Sequence, residues 1–208
     1  MRKSTLLGTG ILLFLLLFTA PHRLFANPIF TDGFEHGLGS WRSYNRLGTL
    51  TYSIDSKHPQ AGTAAAKIES QAVGNRGWLT TTIARLKPGK NYFISLWCRT
   101  EAVDGEARPR LKIRDRSGVQ LPIVGNPFCD NNFGDINLPA LEGSQGWQKI
   151  EGWFVAPLDS AQMTMELVLN GAGTVWWDEI TVREVAELPL LPPGSLSVEL
   201  MQPEAEVV

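Results

Sequence analysis

From residue 27 onward the chain alternates apolar and polar residues with a period of two, in short runs broken by Gly, Pro, Asn and Asp. That pattern is the signature of strands, and no stretch sustains the 3.6-residue period of a helix. Leu50, Tyr52 and Ile54 share one parity, as do Ala64, Ala66 and Ile68, and Leu79, Thr81 and Ile83. Tyr92, Ile94, Leu96 and Cys98 form the clearest run, and Met163, Met165, Leu167 and Leu169 match it. Shorter pieces carry Leu111 and Ile113, Ile150 and Phe154, and Ile180 and Val182. About nine or ten short strands with turn signals between them predict an all-β sandwich or barrel. The stretch 125–146, with Asn126, Pro127, Asp130, Asn131, Asn132, Gly134 and Gly143, has no period and reads as a long loop that is functional or tied down.

The two ends differ from this middle. Arg2 and Lys3 precede an uncharged apolar run at 6–18, the order of a secretory signal peptide. At about 13 residues the run is shorter than the roughly 20 a spanning helix needs, although an uncleaved anchor is the alternative. Cleavage after Ala26 is favoured over Ala20, because Asn27 and Pro28 open the next element. These features predict a signal peptide at 1–26, a domain at 27–185 and a secreted or periplasmic protein. Residues 186–208 contain Pro189, Pro192, Pro193 and several acidic residues without aromatics, the composition of a disordered tail or linker.

Charge and composition exclude several classes. A net charge of −2 lacks the basic excess of a nucleic-acid binder. Of three His, His36 and His58 have no partners at metal-ligand spacing, which argues against a catalytic zinc. The only two cysteines are Cys98 and Cys129. An exported chain favours their pairing, worth about 3–4 kcal/mol for a loop of this size, against two separate buried thiols.

Four stretches in order carry a resemblance. Residues 27–41 (NPIFTDGFEHGLGSW), the turn at 86–92 (LKPGKNY), the run at 146–154 (GWQKIEGWF) and the close at 173–182 (GTVWWDEITV) resemble carbohydrate-binding modules of families four, nine and twenty-two. The resemblance implies a β-sandwich jelly roll of the galactose-binding-domain-like type, a sugar-binding groove and a structural calcium. Asp32 and Glu35 in the first turn and Asp178 in the last strand are the metal candidates. The parity of Asp178 matches Ile180 and Val182, and a carboxylate facing a core is costly unless paired or metal-bound. The alternative is that Asp178 accepts backbone N–H groups without a metal.

Seven Trp is a high count for one domain. Their broad faces suit the C–H-rich faces of sugar rings. Trp97 alternates against Leu96 and Cys98, Trp78 against Leu79, and Trp153 against Phe154, so these three face outward. Arg99, Lys112 and Arg114 offer donors to sugar hydroxyls, or to uronate carboxylates bidentately. Trp78, Trp97, Arg99, Trp153 and Lys112 are therefore the candidate ligand-binding residues, with loop-covered burial as the alternative. Trp41, Trp147 and Trp176 are assigned to the core, and Trp177 is a weaker ligand candidate on the opposite parity.

Catalysis has little support. The chain has no nucleophile elbow, metalloprotease motif or phosphate loop. Asp178 and Glu179 are adjacent and point to opposite faces, and only Glu151 and Glu166 remain as a pair of outward carboxyls for glycoside hydrolysis. The sequence thus predicts a non-catalytic module for a polysaccharide or oligosaccharide. The alternatives are a surface or assembly sandwich that binds protein and an accessory piece of a glycoside hydrolase.

Overall fold

The computed structural model describes residues 27–129 and 134–188. The signal-peptide and tail assignments at 1–26 and 189–208 lie outside these residues. Nine strands are present and no helix among the described residues. They are β1 (Pro28–Asp32), β2 (Arg42–Leu47), β3 (Leu50–Asp55), β4 (Ala65–Ser70), β5 (Arg76–Ala84), β6 (Asn91–Arg114), β7 (Ile136–Asn137), β8 (Leu141–Val155) and β9 (Gln162–Val185).

Two strands of 24 residues, β6 and β9, organise everything else. They pair antiparallel along their whole length, from Asn91 opposite Val185 to Arg114 opposite Gln162. Where Gly105 meets Gly171 both have positive φ, 124° and 127°. Their backbones approach so closely that a Cβ on Gly105 would lie 2.1 Å from the Asn170 carbonyl oxygen, and one on Gly171 2.0 Å from that of Asp104. A register shift between Glu101 and Asp104 adds a bulge at the same place. Bulges and glycines bend strands, and here they fold one curled antiparallel sheet into two facing halves. The first half has the order β2, β5, β9 (162–170), β6 (106–114), β7. In the second, β3 and β4 with β1 flank β9 (173–185), followed by β6 (91–101) and β8.

The core lies between the halves and is filled by the parity read from sequence. Leu79, Ile83, Leu111, Ile113, Met163, Met165, Leu167 and Leu169 enter from the first half, and Tyr92, Ile94, Leu96, Cys98, Ile150, Phe154 and Val182 from the second. The jelly-roll sandwich stands. The long loop does not stand in full, because β7 and the start of β8 fall within 125–146.

Four assignments change. Glu179 has φ +49° and sits at a register shift in the β6–β9 ladder, which adds one residue to β9. The extra residue reverses parity before it. Trp177, opposite Cys98, is in the core and fully buried, whereas Trp176, opposite Arg99, lies on the outer face. Asp178 falls opposite Trp97, on the outer side of the sheet rather than the core side. Trp147 is also not a core residue; it is half-buried at an irregularity where β8 shifts register against β6. Trp41 does join the core, beside Phe30 and Phe34.

The predicted disulfide is absent. Cys98 keeps a fully buried thiol on the core face of β6, opposite Gln148 and Trp177, and burial holds its pKa well above the ordinary value. Cys129 is instead placed by the loop, with its N–H bonded to Asn126 and a bridge to Ile136 beside Leu111.

Replacing Gly171 with Ala should cost about 2 kcal/mol or more in urea unfolding, because a positive φ and a backbone clash coincide. Gly143→Ala, at φ 65° with open space around it, should cost only about 1 kcal/mol. Equal losses would show that the bend does not control the fold.

Candidate binding cleft

The period-two parity that sends leucines and methionines inward sends a polar set outward. On β6, Arg108, Arg110, Lys112 and Arg114 alternate with Pro109, Leu111 and Ile113 and face away from the core. Glu166 and Val168 of β9, Trp78 and Arg76 of β5 and Tyr44 of β2 continue the same outer face by register. This face holds a cleft of about 570 Å³ lined by Arg46, Arg76, Glu106, Arg108, Arg110, Lys112, Gln120, Asp135, Asn137 and Val168.

Its floor is a charged network. Glu166 is buried and accepts from Arg110 Nε at 2.6 Å and from Lys112 Nζ at 3.0 Å. Asp135 stands 3.7 Å from Arg110 and accepts from Gln120 at 2.7 Å. Arg108 pairs with Glu106. A buried carboxylate survives only with such partners.

Beside this network lies an aromatic step. Trp78 is only 8% exposed although it faces outward, because the Arg110 guanidinium sits 5.1 Å over one ring and Tyr44 stacks at 4.7 Å and 30°. Tyr44 itself is 53% exposed and presents the accessible ring. It is held from the other half of the sheet: the Tyr52 hydroxyl of β3 bonds the Tyr44 carbonyl at 2.9 Å and Asn45 Oδ1 at 2.7 Å. Burial pushes the pKa of that hydroxyl up to about 12. Gly77 makes room, since a Cβ there would lie 2.2 Å from the Tyr52 oxygen.

The ligand candidates named from sequence divide between two faces. Lys112 lines the cleft, and Trp78 lies beside it on the same outer face under Arg110. Trp97, Arg99 and Trp153 lie on the outer face of the second half, where Trp97 is flanked by Lys149 and Asp178 and Trp153 by Phe93. Arg99 stacks 5.0 Å over Trp176, whose indole N–H donates to Asp55 at 2.7 Å, and Phe128 meets the edge of Trp153. Burial works against the charge on Asp55, but the bonds from His58, Trp176 and the Lys57 N–H outweigh it and lower its pKa. Glu151 is paired with Lys149 on this second face, so it does not meet Glu166. Arg114 donates to the Gly118 carbonyl at 2.7 Å.

The metal candidates are also divided. Asp32 accepts from the Phe34 N–H and the Trp41 indole, both at 2.8 Å. Glu35 accepts from the N–H and hydroxyl of Thr63, bonds that lower its pKa. Asp178 is 0% exposed and accepts from the N–H groups of Gln60 at 2.8 Å, Ala61 at 3.2 Å and Glu179 at 2.7 Å. Desolvation outweighs those bonds and raises its pKa, and the charge of Glu35 adds to the rise. Among the described residues no three acidic, His or Cys side chains converge as a metal set, and no Lys or Arg forms an ion pair with Glu35 or Asp178.

Sequence reasoning missed Tyr44, Arg76, Arg108 and Arg110. The alternating cations of β6 were a usable signal, since they share the parity of Lys112. Tyr44 had none, because all six residues of β2 are exposed and show no alternation.

The family described as carbohydrate binding domain matches residues 26–174. No curated protein matches the chain. Among solved structures, the xylan-binding domain CBM22-1 of Paenibacillus barcinonensis Xyn10C aligns with a TM-score of 0.54 at 14% identity, over 78% of this chain and 97% of that one. The CBM22-1–GH10 modules of Clostridium thermocellum endo-1,4-β-D-xylanase 10B, in complex with xylohexaose, align at 0.54 and 12%, over 76% of this chain and 28% of theirs. The enzymatically active domain of tailspike protein 4 of bacteriophage CBA120 aligns at 0.58 and 12%, over 72% of this chain and 20% of that one. At these identities the likeness is one of fold.

Substituting Glu166 with Ala strands Arg110 and Lys112 without their shared carboxylate. The expected loss is about 3 kcal/mol in denaturant unfolding. A loss below about 1 kcal/mol would mean that the pair is solvated like a surface bridge.

Proposed function

The chain belongs to the carbohydrate-binding domain family and is a carbohydrate-binding module; from that premise we propose that it holds a polysaccharide or oligosaccharide in the cleft on the outer face of β2, β5, β9, β6 and β7. The observation that carries this reading is the exposed Tyr44 ring set beside a row of fixed polar groups. A sugar ring offers an apolar C–H face and a rim of hydroxyls. Tyr44 takes the face, while Asn137, Gln120, Lys112 and Asp135 offer donors and acceptors for the rim. Trp78 and Arg110 support Tyr44 from below.

The binding is non-catalytic. Two carboxyls flanking a bond are what hydrolysis requires, and the carboxylates of this cleft, Glu106, Asp135 and Glu166, are each engaged by a basic side chain. Export is part of the same proposal and rests on the charged start and apolar run at 6–18.

We also propose that a structural calcium joins Glu35 and Asp178. The two carboxylates repel one another, Asp178 is sealed from water, and among the described residues no Lys or Arg forms an ion pair with either. Carboxylate oxygens are the ligands calcium takes. When bound, the ion would clamp the first turn to β9.

Two measurements test these readings. On a glycan array, Tyr44→Ala should abolish or weaken binding by about tenfold, as expected for a lost stacking anchor of 1–2 kcal/mol, whereas Trp97→Ala should leave it unchanged. The reverse pattern would move the site to the second face. Calcium should raise the melting temperature of the wild type and a chelator should lower it, with no response in Glu35→Gln. A wild type indifferent to calcium leaves the N–H groups of Gln60, Ala61 and Thr63 as the whole account of the clasp.

A further inference from the structure

The cations of the cleft are not all used. Five basic side chains line it, Arg46, Arg76, Arg108, Arg110 and Lys112. Glu166 holds Arg110 and Lys112, and Glu106 holds Arg108. Arg76 and Arg46 have no carboxylate within ion-pair distance among the described residues. Arg76 is the sharper case. It is half-buried, and its Nε is sealed from solvent with no hydrogen-bond partner. Desolvation, then the like charges of Arg110 and Arg46, depress its pKa and outweigh the opposing pull of Glu106 and Glu166. A guanidinium remains charged under such a load, so Arg76 stands as a half-buried cation with no ion-paired carboxylate among the described residues.

We propose that this vacancy of charge is filled by the ligand: the cleft selects glycans that carry hexuronate residues, and Arg76, backed by Arg46, binds the uronate carboxylate. This inference rests on the cleft being the glycan site. A guanidinium presents paired N–H donors in a plane, which matches the two oxygens of a carboxylate. The register puts Arg76 on the same outer face of β5 as Trp78, two residues away, and Trp78 lies opposite Tyr44. A pyranose stacked on Tyr44 can therefore direct its C6 carboxylate to Arg76 while its hydroxyls meet the polar groups across the floor. A neutral sugar fills the same platform but leaves Arg76 unmatched and desolvated, which is the physical basis for selection. The other basic residues do not compete for the carboxylate, because their own partners already hold them.

Calorimetric titration of the purified chain tests the proposal. The probes are oligosaccharides of galacturonate, glucuronate or mannuronate, each alongside its carboxyl-reduced neutral counterpart. At least one acidic oligosaccharide should bind about tenfold or more tightly than its reduced form, the scale of one charge-assisted bidentate pair. That advantage should shrink as salt is raised. Arg76→Gln should erase the advantage, so that the acidic and reduced forms bind alike. Arg46→Gln, on an exposed side chain, should reduce it partly and guards against a folding defect in the first variant. Equal binding of acidic and reduced forms overturns the inference but leaves the glycan cleft intact, as does an acid preference that survives both substitutions. Tighter binding of a sulfated oligosaccharide than of any uronate overturns the carboxylate assignment. Failure of every glycan, acidic or neutral, removes the cleft reading itself and this inference with it.

Discussion

The antiparallel ladder between β6 and β9 is the constraint on which the rest depends. Each strand is long enough to serve both halves of the sandwich, and the meeting of Gly105 with Gly171 is where one sheet becomes two layers. Every other strand docks on this pair or on a strand that does. The bend also decides which residues can meet. Because β6 is continuous through it, the same strand supplies Cys98 to the core in one half and Arg108, Arg110 and Lys112 to the cleft in the other. The cleft is therefore built on the most tightly paired element of the domain rather than on a loop, which favours fixed donor positions over adaptable ones.

The cleft floor solves an energetic problem. Burying Glu166 beneath the polar surface is unfavourable in isolation. Arg110 and Lys112 offset that cost, and Arg110 in turn caps Trp78 with its guanidinium face. One arginine thereby ties a carboxylate, an indole and, through Asp135, the segment that leads into β7. The price is geometric: a residue committed to three partners has little freedom to serve a fourth, which leaves ligand contact to the neighbours that are less engaged.

Much of this was legible in the sequence, and the reason is local. Parity within an unbroken strand requires only the alternation of Cβ directions. Tyr92 through Cys98 and Met163 through Leu169 were placed correctly on that basis. So was the outward direction of Trp78, Trp97 and Trp153. What failed did so where alternation breaks. The residue inserted at Glu179 exchanged Trp176 and Trp177 between faces and moved Asp178 out of the core side, and no residue type in WWDEITV announces it. Tyr44 was hidden because β2 has no buried face. The union of Cys98 with Cys129 was a matter of distance between parts of the chain that sequence spacing cannot measure. Likewise, parity could not tell that Trp78 and Lys112 share one surface and Trp97 and Arg99 another, since that follows from the bend.

The rim strand β2 carries one more consequence. It ends the strand order beyond β5, and all six of its residues are exposed. A terminal strand of this kind displays spare backbone donors and acceptors, an invitation to self-association between molecules. Arg42 and Arg46 make that invitation costly for a second copy of the same edge, because like charges would be driven together. The positive charge at the mouth of the cleft thus doubles as a safeguard of solubility, and a variant made neutral there to tune recognition should be watched for fibrous or amorphous aggregates as well as for altered affinity.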